Sequence, residues 1–310
     1  MIENYNIQKC FDTTKNQSYQ SGIYIVSVPI GNLADITLRA IHLLSISDII
    51  YCEDTRTTAK LLNTYSIKNK KLLKFTDHAN INQIQEVLDN AKSKIICVVS
   101  DAGTPLVSDP GVNLISKARK QNIPVYSIPG ASALTSAISI CGAENLDFLF
   151  YGFFEKNKFK NILPEIAKNN NYNLVFFDNP KSIKKSFEII KSILENCSFD
   201  LTISLELTKI NERVIKVNSN DTDISILQDL KGEIVCILSN VKPNICNNII
   251  NNADKTKYLK NTINKIIQED SFLEDLSVKS KCDFIIKYKL DKFEDKKITK
   301  KELYNIVSQL

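Results

Sequence analysis

The chain has 310 residues, 43% apolar and 24% charged, which is ordinary for a soluble protein and enough to bury a sizeable core. No apolar run approaches the roughly 20 residues that a membrane helix needs, so no membrane partner is expected. With only two histidines a His-rich metal site is excluded, and the net charge of +5 is modest. The eight cysteines are scattered without a C-x-x-C pair and are expected to be free thiols.

Residues 1–20 are polar and lack an apolar signal core, so no export is implied; they are expected to form a flexible extension, with a mitochondrial-type presequence as the second reading. From Gly22 to about residue 140, apolar strand-like runs alternate with amphipathic stripes. The run Gly22–Val28 ends in Pro29-Ile30-Gly31-Asn32, and a helical stripe follows through Ile36, Ala40, Ile41, Leu43 and Leu44. His42 falls in that stripe and is read as a packing or surface residue. Asp48–Cys52 ends in Glu53-Asp54-Thr55-Arg56, followed by Leu61, Leu62 and Tyr65. After the stripe Ile81, Ile84, Val87 and Leu88 comes Ile95–Ser100, which ends in Asp101-Ala102-Gly103-Thr104-Pro105. The breaker Asp109-Pro110-Gly111 precedes another stripe, and Pro124–Ile128 ends in Pro129-Gly130-Ala131-Ser132. This alternation predicts a largely parallel sheet with helical crossovers. The four strand ends would then lie along one edge, where open α/β sheets bind small molecules.

The character changes near residue 145. The aromatic run Phe148–Phe154 reads as interdomain core rather than a base-stacking surface, and a Lys- and Asn-rich stretch follows it. Strand-like runs recur at 174–177, 201–205, 214–217 and 233–238, predicting a second α/β domain with mixed strands. The Asn-rich segment 244–252 reads as a linker. Between Lys279 and Lys301 nine lysines face four acids, a concentration that suits a polyanionic partner. Thr299-Lys300-Lys301-Glu302 matches a capping box, with Leu303, Ile306, Val307 and Leu310 on one face beyond it. The domain division expected is 1–20, 21–142, 143–245 and a helical basic module over 254–310.

Nucleotide-phosphate signatures are absent: there is neither G-x-x-x-x-G-K-[ST] nor G-x-G-x-x-G. The strand-end loops carry acids, which suits a cationic or neutral ligand. Glu53, Asp54, Asp101 and Asp109 are a conceivable Mg²⁺ set, but Asp54 and Asp109 serve equally as backbone caps, and no metal is assigned.

Four long motifs carry a resemblance: V-P-I-G-N-L-A-D-I-T-L-R-A (28–40), E-D-T-R-T-T (53–58), S-D-A-G-T-P-L-V-S-D-P-G (100–111) and P-G-A-S-A-L (129–134). They resemble the tetrapyrrole-methylase family of S-adenosylmethionine (AdoMet) enzymes, in particular its ribosomal-RNA branch. Ala102-Gly103-Thr104-Pro105 favours that branch over the corrin-making members. Weaker matches are Glu206-Leu207-Thr208-Lys209, Lys231-Gly232-Glu233 and the basic tail. Departures fall at 154–160 and 177–181, where Lys stands for the family's Arg and loses its two-pronged phosphate grip.

The resemblance implies two α/β domains holding AdoMet between them, and a cytoplasmic homodimer. The implied reaction is methylation of a cytidine 2′-hydroxyl in 16S rRNA of the small ribosomal subunit. It places Pro29, Gly31, Ala102, Gly103, Thr104, Val107, Ser132, Ala133, Phe177, Asp178 and Leu207 around the cofactor. Transfer to a hydroxyl needs a proton acceptor or a cation that lowers its pKa. Glu53, Asp54 and Asp101 are candidate bases, and Arg56 and Lys209 candidate charge partners. Two other readings stay open: a methyltransferase of this fold acting on a corrin or a protein, and a non-catalytic ribosome-binding module.

Overall fold

The computed structural model describes residues 7–76, 79–107, 112–143, 147–169, 172–243, 252–269, 271–273, 276–288 and 299–309. His78, Asp109-Pro110-Gly111 and nearly all of the expected linker 244–252 lie outside these. The chain forms two compact units, Met1–Asn244 and Ile245–Leu310.

The first unit begins with helix α1 (Ile7–Lys15), where the sequence reading expected a flexible extension. Phe11 of α1 meets His42 edge-on at 6.1 Å, which gives this short polar helix a tertiary anchor. Strands β1 (Gly22–Val26), β2 (Ile49–Cys52), β3 (Lys71–Lys74), β4 (Ile95–Val99) and β5 (Val125–Ile128) form a sheet in the order β3-β2-β4-β1-β5. Every pairing in it is parallel. Helices α2 (Leu38–Ile46), α3 (Thr55–Thr64), α4 (Ile81–Ala91) and α5 (Val112–Lys120) cover it.

Alternation along each strand separates two cores. Tyr24, Val26, Ile50 and Cys97 pack with Leu43 and Leu62, whereas Ile23, Ile25, Ile96 and Val98 pack with Val87, Leu88 and Leu114. Burial on both faces is what a parallel sheet with helical crossovers requires. Local signals set the helix starts: Thr37 accepts from the Ala40 N–H, and Asn80 and Gln83 form a capping box. The edge strand β3, Lys71-Leu72-Leu73-Lys74, was not expected, because its flanking lysines break the apolar run. Such lysines also discourage edge-to-edge pairing.

Helix α6 (Ala133–Ile140) leads into a second sheet of β6 (Phe148–Phe153), β7 (Asn173–Asp178), β8 (Cys197–Leu205), β9 (Arg213–Asn218) and β10 (Ile234–Pro243). Its order is β6-β7-β10-β8-β9. Only β6 and β7 run parallel; the other pairings are antiparallel, as the mixed-strand reading expected. Helices α7 (Lys156–Asn169) and α8 (Ile183–Ile193) pack Phe159, Leu163, Phe187 and Ile190 against one face. The opposite face, through Val175, Val235 and Ile237, receives Ala137 of α6 and Ile30 from the loop after β1. Phe148 and Phe150 pack half-buried against this cluster and Leu149, Tyr151 and Phe154 against the other face's core, while Phe153 is exposed.

The second unit contains α9 (Asn252–Glu269), α10 (Val278–Tyr288) and α11 (Lys300–Val307). Leu259, Ile263, Cys282, Ile285, Leu303 and Ile306 form its core. The expected capping box is present, with Thr299 and Glu302 bonding reciprocally. No helix among the described residues is long and apolar enough to cross a membrane, and the seven described cysteines are free.

Candidate active site

A cavity of about 560 Å³ lies between the carboxyl-edge loops of the first sheet and the face of the second. Three adjacent strands, β4, β1 and β5, deliver the loops that form one wall. These loops are stitched together. Val28 and Gly103 exchange two backbone hydrogen bonds, at 2.9 and 3.0 Å. The Thr104 hydroxyl donates to the Ala131 carbonyl at 3.1 Å, so its contact with Ser27 at 3.0 Å must be donated by Ser27. Gly103 adopts φ +74°, which favours glycine, and an added Cβ would lie 3.2 Å from Ile30.

The wall is lined by Ile30, Ala102, Gly103, Thr104, Val107, Ser132, Ala133 and Leu134. Opposite stand Phe153, Phe177 to Pro180, Ser204, Leu207 and Gly232 to Val235. Nine of the eleven residues expected around the cofactor therefore line this cavity. The other two, Pro29 and Gly31, flank Ile30, which makes the contact. Ser204 and Val235 were missed, because their segments read as ordinary buried strand, and Glu233 was marked only by a weak motif match.

Cross-strand register explains the second wall. Phe177 pairs with Val235, and Val235 with Ser204, so the three share one face. That face also carries the cluster against α6. Ser204 is 1% exposed and its hydroxyl has no hydrogen-bond partner. A buried unpaired hydroxyl on a ligand-sized, mainly apolar cavity fits a polar ligand atom at that point. Asp178 pairs with Ile234 one position on, so its side chain takes the opposite face. There its Oδ1 accepts from the Asn179 N–H at 2.7 Å and from Ser182 at 3.3 Å. Its Oδ2 is buried without a partner. Burial pushes this carboxyl up, against the nearby Ser186 hydroxyl and the Asn179 N–H.

The candidate catalytic residues do not line the cavity. Glu53, Asp54 and Arg56 follow β2, which lies beyond β4 from the cavity loops. Asp54 caps α3 by accepting from the Arg56 N–H at 2.8 Å, and its Oδ2 pairs with the Arg56 guanidinium at 2.6 Å. The hydrogen bonds from the Arg56 side chain, then its backbone N–H, hold the Asp54 carboxyl well below the usual range. Asp101, next to Ala102, accepts from the Asp54 N–H at 3.2 Å and links the two loops. Glu53 borders a small cavity with Ser100 and Pro105. Among the described residues, no group of three or more His, Cys, Asp or Glu could hold a metal ion.

Lys209 lies in the loop after β8. Its ammonium is 2.9 Å from Glu206 and 3.0 Å from Glu233, and its stem covers Gly31. Glu206, at φ +51°, also accepts from the Glu233 N–H at 2.9 Å and lies against Gly232. Hydrogen bonds from Lys209 and the Glu233 N–H lower the Glu206 carboxyl. Burial works to lower the Lys209 ammonium, but its bonds to Glu206 and Glu233 outweigh it and raise the pKa.

Two solved structures share the fold: a cobalt precorrin-4 methyltransferase of cobalamin biosynthesis and the methyltransferase CobJ. Each has a TM-score of 0.52 at 16% identity; they cover 70% and 71% of this chain, and it covers 94% of each. The family model "Tetrapyrrole (Corrin/Porphyrin) Methylases" matches residues 22–222. The class is thus an AdoMet-dependent methyltransferase of this fold. Closer in sequence are proteins named ribosomal RNA small subunit methyltransferase I. That of Rickettsia prowazekii (strain Madrid E) is 36% identical over 93% of this chain and 96% of its own. That of Thermotoga maritima is 38% identical over 70% of this chain and 97% of its own. The chain belongs to the tetrapyrrole methylase family and, within it, to the ribosomal RNA small subunit methyltransferase I group.

Proposed function

We propose that this protein methylates the 2′-hydroxyl of a cytidine in 16S rRNA of the small ribosomal subunit, using AdoMet. The observation that carries this reading is the similarity to the Rickettsia relative, which spans nearly the whole of both chains. The cavity supports it, being of ligand size and mainly apolar, with the small residues Ala102, Gly103, Ser132 and Ala133 in one wall.

Bound in this cavity, AdoMet supplies a methyl group on a cationic sulfonium. Ala102, Gly103, Ser132 and Ala133 permit close backbone approach to it. Phe177, Leu207 and Val235 exclude water from the opposite side. Alignment of the incoming hydroxyl is then the enzyme's main contribution. Asp101 is the proposed proton acceptor, since it stands next to Ala102 at the cavity loop. Asp54 is a poor acceptor because its bonds from Arg56 lower its affinity for a proton. Its part, with Arg56, is to fix the Asp101 loop. The basic helical module over 254–310 is proposed to grip rRNA phosphates, and the enzyme to act as a cytoplasmic homodimer.

The test is tritiated-methyl transfer to 30S subunits from a strain lacking this modification, with the product mapped. Label in a single 2′-O-methylcytidine, abolished in Asp101→Asn, is the expected result. AdoMet binding without label in any RNA would overturn the reading.

A further inference from the structure

Lys209 sits where the two lobes of the first unit meet. Its ammonium is neutralised by two carboxylates of its own lobe, Glu206 and Glu233. Its methylene stem crosses to the other lobe and fills the space above Gly31: a Cβ there would lie 2.5 Å from Lys209 Cγ and 2.8 Å from Cε. Glu233 and Ile30, the neighbour of Gly31, both line the cavity. One side chain thus links both walls. An ammonium already paired twice is a weak electrostatic aid to a distant hydroxyl.

We propose that Lys209 is a positioning residue, a clasp that sets the width of the cavity by holding the loop of Ile30 and Gly31 against the Glu206–Glu233 pair. The inference rests on the reading of the cavity as the AdoMet site. It accounts for a small residue at 31, where a side chain would displace the stem. It also accounts for the close nesting of Glu206 on Gly232, which places the carboxylate to receive the ammonium.

The experiment compares Lys209→Ala, Lys209→Met, Lys209→Arg and Gly31→Ala with the wild type by AdoMet calorimetry, hydrogen exchange of residues 29–33 without ligand, and kcat at saturating AdoMet. Lys209→Ala and Gly31→Ala should bind AdoMet about tenfold more weakly, as expected if the binding-competent arrangement is about ten times rarer. Exchange in 29–33 should rise while kcat at saturation stays within about threefold, a split expected of a residue that acts on binding rather than on the transition state. Lys209→Met, which keeps the stem, should fall between, and Lys209→Arg should restore binding. Unchanged AdoMet affinity and exchange in Lys209→Ala would overturn the clasp, most clearly if kcat fell in both Ala and Met variants with an altered pH profile. If the wild type itself failed to bind AdoMet, the site reading would fail instead, and the exchange data alone would still decide the clasp.

Discussion

The Thr104 hydroxyl donates to the Ala131 carbonyl oxygen at 3.1 Å, tying the loop after β4 to the loop after β5 across 27 residues of sequence. Ser27, which is 2% exposed, spends its own proton on the same hydroxyl. Thr104→Val removes both bonds at nearly constant shape and leaves the Ala131 carbonyl and the Ser27 hydroxyl short of partners. A loss of about 1–2 kcal/mol in stability is expected. It should be accompanied by weaker AdoMet binding, read by urea unfolding and calorimetry on the same preparation.

Asp178 sets a pH dependence of unusual sign for a carboxylate. Its pKa is raised by burial, so over the range between its unfolded and folded values the native state binds more protons than the unfolded state. Its contribution to stability is therefore greatest at the acid end of that range and declines as pH rises through the folded pKa. Asp178→Asn should abolish this slope and unfold no more easily than the wild type at neutral pH. Urea midpoints across a pH series would show it, and an unchanged slope would refute it.

The strand-end loops were legible because small and constrained residues directly after β-branched runs have few structural uses. That logic marked the loops that carry Ala102, Gly103, Thr104 and Ser132, while Val107, Ala133, Phe177, Asp178 and Leu207 came from the family resemblance. It failed for Ser204, whose neighbours Ile203 and Leu205 are buried core; only the register Phe177–Val235–Ser204 shows which way it faces. It also grouped Glu53, Asp54 and Arg56 with the cavity loops, whereas β2 lies on the far side of β4 and these residues do not line the cavity. Lys209 and Gly31 are separated by 178 residues, and nothing local in either segment announces their contact. The N-terminal helix escaped notice for a different reason: its sequence is polar, and its anchor is the ring of His42 on another helix.

The proposed grip of the second unit on rRNA phosphates can be tested at two lysines. Lys279 of α10 and Lys301 of α11 are both exposed. Replacing both with Gln should weaken rRNA binding across sequences and reduce the slope of log K against log salt by about one per lysine. Filter binding from low to high salt measures this. A parallel curve of equal slope would remove these two residues from the interface.

The paired hydrogen bonds of Val28 and Gly103 have a consequence for selectivity. The Gly103 N–H is already given to the Val28 carbonyl and its carbonyl receives the Val28 N–H, so Gly103 itself has no amide hydrogen to offer a ligand. It acts as a gauge rather than a grip, admitting by contour what it does not bond. Sulfonium analogues with a bulkier alkyl group would be rejected here by crowding, while changes that leave the outline intact would pass unnoticed.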